Sequence, residues 1–381
     1  MKLSKLSGRY QDDKAIDACS IFGMMDTTGK RFSGTDVIRA SVNMRDRGNG
    51  LGGGFAIYGL YPEYANYYAF HIMYLSQEAL TETEAFLKQN FHIIAGEEVP
   101  TRPVPSIVNP PCVRRYFVEV EHERAQTKSQ DDYVVERVME INTDIKDAYV
   151  VSSGKDMAVF KGLGYPEEIA QYFQLEQYQG YLWVAHGRFP TNTPGWWGGA
   201  HPFNILDWSV IHNGEISSYG INRRYLEEFG YKCTMQTDTE VIAYAVDLLM
   251  RKHGLPIQLV ARILAPPFWS EIESYSLGQG RIYRTLRQVY GSLLLNGPFS
   301  VIIAHHGEMI GLTDRIKLRP LTAAVKGSIL YLSSEESAIR LVCPDLDKVW
   351  SPKGGEPVVG RLGAPLQLET GAMAGAGNKV C

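Results

Sequence analysis

Three observations in the sequence predict an α+β fold of sheets covered by helices. Short apolar runs bounded by Gly, Asn, Asp or Ser recur along the chain, as in the central strands of antiparallel or mixed sheets. Stretches with apolar residues at helical spacing are interleaved among them. The glycine-rich GNGLGGG from Gly48 does not follow a strand and open a helix, so a dinucleotide-binding doubly wound sheet is not indicated.

The elements follow in order. Cys19 to Met25 reads as a short buried strand, Thr35 to Arg47 as a helix, and GGFAIYG as a further strand. Phe70 to Leu75 predicts a strand and Glu78 to Asn90 an exposed helix. VPTRPVPSIVNPPC carries five prolines between Pro100 and Pro111, which forbids a regular element and predicts an ordered or extended connector. RYFVEVE from Arg115 predicts a strand, Asp131 to Asp147 a helix, and AYVVSS and MAVFKG a strand pair around the turn GKD. YLWVAHG, WSVIHNGE, FSVIIAHH, EMIGLT and SILYLSS are strand-like, while Val241 to Lys252, Arg281 to Tyr290 and Glu335 to Val342 are helix-like. The Gly/Ala-rich end predicts a strand and a frayed tail.

Composition narrows the functional classes. The 381 residues are 45% hydrophobic and 21% charged with a net charge of −4, an ordinary globular balance. There is no basic block or basic amphipathic helix, so neither nucleic acid nor an anionic membrane is an expected partner. No window approaches eighteen uninterrupted apolar residues and no secretory h-region precedes Cys19, so a cytoplasmic location is expected. The five cysteines are scattered and never form C-x-x-C, which argues against disulfide frameworks, zinc ribbons and iron–sulfur clusters in this chain. The nine histidines show no ligand spacing such as H-E-x-x-H, so no metal site is expected.

Four polar islands sit at strand ends: Cys19, HGRFPTN from His186, HNGEI from His212 and TDTEV from Thr237. Each has a purely structural reading. Cys19 alone is compatible with a small core residue, Arg188 with a surface ion pair, and Asn213-Gly214 with a type I′ hairpin turn. In TDTE, Thr237 and Glu240 form a capping box that leaves Asp238 in the first turn with its carboxylate available.

Taken together, CSIFG at Cys19, RG at Arg47 and Gly48, HGRFPTN, HNGEI and TDTEV resemble the class II glutamine amidotransferase domain, an N-terminal nucleophile hydrolase. Later similarities are GPFSVIIA, TDRIKLRPL and LSSEESAI, and the chain looks most like the amidotransferase subunit of split, archaeal-type glutamate synthase. The resemblance implies a four-layer αββα sandwich of the N-terminal nucleophile hydrolase type. It implies hydrolysis of L-glutamine to glutamate and ammonia, with Cys19 as nucleophile and its own α-amine as base. That chemistry requires cleavage between Ala18 and Cys19, because a peptide nitrogen has no basic lone pair.

By the same resemblance Asn213 and Gly214 form the oxyanion hole. Arg188 takes the substrate carboxylate, Asp238 its ammonium, Thr191 adds a hydroxyl contact, and Arg47 supports the nucleophile. The implied boundaries are a propeptide over 1–18, the amidotransferase domain over 19–345 with a Pro-rich insertion near 98–114, and a C-terminal extension over 346–381. No cofactor is expected in this chain. Synthase subunits on separate chains would carry FMN and iron–sulfur clusters and add the ammonia to 2-oxoglutarate. The alternatives are a stand-alone glutaminase, the corresponding subunit of N-methylglutamate synthase, or a non-catalytic regulatory subunit.

Overall fold

Side-chain alternation along Ser20–Asp26 sets the layering. Ile21 and Met25 point to one face and Phe22 and Met24 to the other, with the whole strand buried. A strand apolar on both faces must be covered twice, and the computed structural model, which describes residues 18–121, 128–190 and 193–366, shows how.

A seven-stranded sheet runs in the order Lys348–Trp350, Thr322–Lys326, Ile329–Ser333, Ser20–Asp26, Leu182–Gly187, Gly53–Tyr58, Met157–Gly162, and every neighbouring pair is antiparallel. A second antiparallel sheet runs Phe203–Ile205, Trp208–Gly214, Phe299–His305, Glu308–Thr313, Val358–Arg361. Ile21, Met25, Val184 and Val159 of the first sheet meet Ile211, Ile302 and Met309 of the second in the layer between them. Gly23 makes this approach possible, since a Cβ there would lie 2.8 Å from the Met309 Sδ.

The outer face of the first sheet is covered by helices Thr35–Asn43, Pro166–Tyr172 and Glu336–Val342 through Val37, Ala40, Ile169, Ala170, Ala338 and Ile339. Helices Asp238–Val246 and Ile257–Leu264 cover the second through Ile242, Val246, Val260 and Leu264. The layers are therefore helix, sheet, sheet, helix: the expected αββα sandwich.

Between the paired strands Gly53–Tyr58 and Met157–Gly162 the chain makes a four-stranded antiparallel sheet of His92–Glu98, Cys112–Glu119, Tyr68–Tyr74 and Ala148–Ser152, with helices Gln77–Asn90 and Gln130–Asp144. The proline-rich connector joins its first two strands. It is held by Val99 N–H donating to Val113 O at 2.9 Å and Arg102 N–H to Tyr172 O at 2.9 Å.

Several local expectations change. The helix predicted from Thr35 to Arg47 ends at Asn43 and tightens into a 3₁₀ turn over Arg45–Arg47. The helix expected over Val241 to Lys252 begins at Asp238 and becomes π-helical over Asp247–Lys252. The strand His92–Glu98 was not anticipated because it is half-exposed and polar at its end. Helices Tyr219–Glu227, Ile257–Leu264 and Trp269–Ser274 are short additions to the predicted elements, although Ile257, Val260, Ala261 and Leu264 do follow helical spacing.

Candidate active site

The pairing of Ser20 with Gly187 decides where the chemistry gathers. Cys19 stands just before one strand, Arg188 and Phe189 just after its antiparallel partner, and the two loops meet. Phe189 N–H donates to Cys19 Sγ at 3.3 Å. Arg188 is fixed by its N–H donating to Gly52 O at 2.8 Å and is 3% exposed. From the 3₁₀ turn, Arg47 Nε donates to Cys19 O at 3.1 Å while its Nη1 pairs with Glu335 at 3.0 Å. Five residues expected from sequence thus converge at or beside one cavity of about 530 Å³: Cys19, Arg188, Gly214 and Asp238 line it, and Arg47 holds the Cys19 backbone from behind.

The second sheet supplies the opposite wall. Trp208–Gly214 ends at Asn213 and Gly214, which pair with Ser300 and Phe299. The Asn-Gly hairpin reading is therefore corrected: the strand's partner lies far along the chain, and Asn213 has no positive φ, which a type I′ turn needs at both positions. Gly214 has φ +148°, and a Cβ there would sit 2.0 Å from Pro298 O. Asn213 is 1% exposed, and neither its Nδ2 nor its Oδ1 has a hydrogen-bond partner. A buried amide left unpaired costs free energy.

Asp238 opens helix Asp238–Val246, and Thr237 caps it by accepting from Thr239 N–H at 3.2 Å. The reciprocal half of the expected capping box does not form, because Glu240 turns away to accept from Thr234 N–H and Met235 N–H, both at 3.0 Å. Asp238 Oδ2 accepts from Ile216 N–H at 3.0 Å. Burial works against its ionisation, but the neighbouring His212, the Ile216 N–H and the Thr239 hydroxyl outweigh that and hold the carboxyl below its usual range.

Burial pushes the Cys19 thiol up; the Phe189 N–H and the Arg188 and Arg319 guanidiniums oppose the rise, and Asp238 adds to it. The thiol therefore needs a base to become a thiolate. Arg188 Nη2 donates to Thr193 Oγ1 at 2.6 Å and its buried Nη1 has no partner. Thr191 falls at 191–192, outside the described residues, as do residues 1–17 of the expected propeptide; Ala18 is buried.

Sequence reasoning gave no role to Arg319, His201 or Thr239, all of which line the cavity. Arg319 lies within TDRIKLRPL, which carried the resemblance without a position singled out. Among the described residues no group of three or more His, Cys, Asp or Glu could hold a metal ion. No helix among them is long and apolar enough to cross a membrane.

Comparison with known proteins adds the family. The model for class II glutamine amidotransferases matches residues 65–348, three-quarters of the chain, starting beyond Cys19 and Arg47. An uncharacterized protein of Archaeoglobus fulgidus is 60% identical over 92% of this chain and 94% of its own length. A protein of Methanothermobacter thermautotrophicus with a provisional glutamine amidotransferase name is 26% identical over 85% of this chain and 93% of its own. The glutamine–fructose-6-phosphate aminotransferase of Vibrio cholerae is 29% identical over 42% of this chain and only 24% of its own length. Among solved structures, the glutamine phosphoribosylpyrophosphate amidotransferase from B. subtilis aligns with a TM-score of 0.45 at 15% identity, covering 90% of this chain and 47% of that one. The chain belongs to the class II glutamine amidotransferases.

Proposed function

We propose that this chain hydrolyses L-glutamine to L-glutamate and ammonia with Cys19 as the nucleophile. The observation that carries the reading is the shared cavity: a thiol, a buried arginine with a free Nη1 and a helix-start carboxylate face the same space, beside a buried asparagine amide with nothing to bond. Glutamine needs each of these. Its amide carbon takes the thiolate and its developing oxyanion takes the Asn213 amide and Gly214 N–H. Its carboxylate suits the Arg188 fork and its ammonium Asp238.

The base is the α-amine of Cys19, set free by loss of residues 1–18. Its ordinary pKa near about 7.7–8.0 suits both taking the thiol proton and returning it to the leaving ammonia. Arg47 would then hold the first carbonyl of the mature chain while the amine turns to the sulfur. The domain boundaries at 19 and 345, with a C-terminal extension after them, belong to the same proposal.

The ammonia is passed to a synthase on separate chains that carry FMN and iron–sulfur clusters and use 2-oxoglutarate as acceptor, in a cytoplasmic glutamate synthase. One observation supports a protein partner. Helices Trp269–Ser274 and Leu277–Val289 expose Trp269, Leu277, Ile282 and Val289, and Arg315, in the loop that places Arg319 in the cavity, lies over the neighbouring Phe268. Exposed apolar surface of this kind marks protein contacts. A glutaminase assay with and without candidate synthase subunits tests both parts. Glutamate release that rises when the synthase subunits are added is expected; release with no response to any subunit would leave a stand-alone glutaminase.

A further inference from the structure

Behind the proposed ammonium site lies a buried group of three imidazoles that the glutaminase chemistry does not use. His201 Nε2 is 2.6 Å and His212 Nδ1 3.1 Å from Thr239 Oγ1. The same hydroxyl is 3.3 Å from Asp238 Oδ1. His186 Nε2 is 2.9 Å from His212 O, bridging the two sheets, and its ring stacks on His201 with centroids 4.0 Å apart. Thr239 is fully buried, and the three histidines are at most 5% exposed.

Counting protons fixes the arrangement. A threonine hydroxyl has one proton and two lone pairs. Its proton goes to the carboxylate, which has none to give, so both lone pairs take imidazole N–H groups. That makes His201 the Nε2–H tautomer and His212 the Nδ1–H tautomer. A carbonyl can only accept, so His186 is also the Nε2–H form. The three nitrogens this leaves bare, His186 Nδ1, His201 Nδ1 and His212 Nε2, are the ones that have no hydrogen-bond partner. An imidazolium at any of these positions would place an unpaired cationic N–H in the interior, the costlier alternative. Burial independently drives His186 down to about 3 and holds His201 well below the usual imidazole range.

We infer that Thr239 is a positioning residue, which turns two neutral histidines into a fixed rotamer of Asp238 and leaves the whole negative charge of that carboxylate to the α-ammonium of the substrate. His212 Nδ1 lies 3.6 Å from Asp238 Oδ1, so an imidazolium there would instead have neutralised Asp238 before substrate arrived. The inference rests on the glutaminase reading for its substrate but not for its protonation pattern.

Two measurements test it on the full chain. The first compares Thr239→Val, which keeps the shape, with Thr239→Ser, which keeps the hydroxyl, on glutamine and on glutaramate, the analogue without the amino group. Expected for Thr239→Val is a fall in kcat/KM for glutamine of about 10- to 100-fold, carried by KM. Glutaramate hydrolysis should stay within about twofold, and Thr239→Ser should restore glutamine use. Equal loss on both substrates, or no loss on glutamine, overturns the positioning role. The second is long-range ¹H–¹⁵N correlation on ¹⁵N-histidine protein at pH 7. Neutral Nε2–H signals for His186 and His201 and Nδ1–H for His212 are expected, and an imidazolium or the opposite tautomer at any of the three overturns it. Absence of glutamine hydrolysis in the unmodified chain would count against the glutaminase reading, while the tautomers would still decide this one.

Discussion

The Phe189 N–H donates to the Cys19 Sγ at 3.3 Å, across the ends of two strands joined by the pairing of Ser20 with Gly187. A donor aimed at sulfur favours the thiolate where burial opposes it. Cys19→Ala should therefore lower glutaminase turnover by at least about 10³-fold. The same change at Cys112 or Cys233 should leave turnover within about twofold. Steady-state kinetics of the three variants separates a nucleophile from a packed thiol, and comparable activity in the first variant would remove Cys19 from the mechanism.

Asn213 gives a test in which activity and stability move apart. Its amide bonds to nothing in the structure, so Asn213→Ala removes no hydrogen bond and should leave the thermal midpoint unchanged or raised. Loss of an oxyanion donor should cost about 10²- to 10³-fold in kcat with little change in KM. A variant that unfolds earlier and keeps its kcat would mean the amide is structural.

Gly214 is a backbone position that no side chain can share. An added Cβ would lie 2.0 Å from Pro298 O at a φ of +148°. Gly214→Ala should destabilise the fold by about 3 kcal/mol or more, read from urea unfolding. A loss under about 1 kcal/mol would show that the loop at Pro298 yields easily.

Stability should fall in mild acid. His71 and His186 are buried, and burial lowers both to about 3; an unfolded histidine titrates near 6.5. With the folded value below the unfolded one, the unfolded chain takes up protons first. The stability present above pH 6.5 is therefore lost as pH falls towards 3. At pH 5 each of these imidazoles should cost about 2 kcal/mol relative to pH 7. The urea midpoint should drop between these pH values, less steeply in His71→Gln, and a flat profile would contradict neutral burial of these rings.

The layers of the fold were legible because apolar alternation survives in strands covered on both faces, as in Ile21, Phe22, Met24 and Met25. The half-exposed strand His92–Glu98 was not, since its pattern is diluted by Glu97 and Glu98. Cys19 and Arg188 stood out as polar residues at strand ends and Asp238 as one at a helix start, yet each had a sound structural reading until their order was taken together. Thr239, His201 and Arg319 stayed hidden for a different reason. Their roles depend on contacts between segments distant in the chain, such as the 2.6 Å from His201 to Thr239, and no local spacing encodes them. The Asn-Gly pair misled in the opposite direction, because a local turn preference was overridden by pairing with Phe299–His305.

The most direct test combines processing with chemistry. Active protein is treated with a glutamine analogue bearing a diazoketone in place of the amide, digested, and the labelled peptide identified by mass. The account predicts one label, on the sulfur of Cys19, in a peptide that begins with Cys19 and carries a free α-amine. Full glutaminase activity in protein that keeps Ala18 attached, or a label on any other residue, would contradict it.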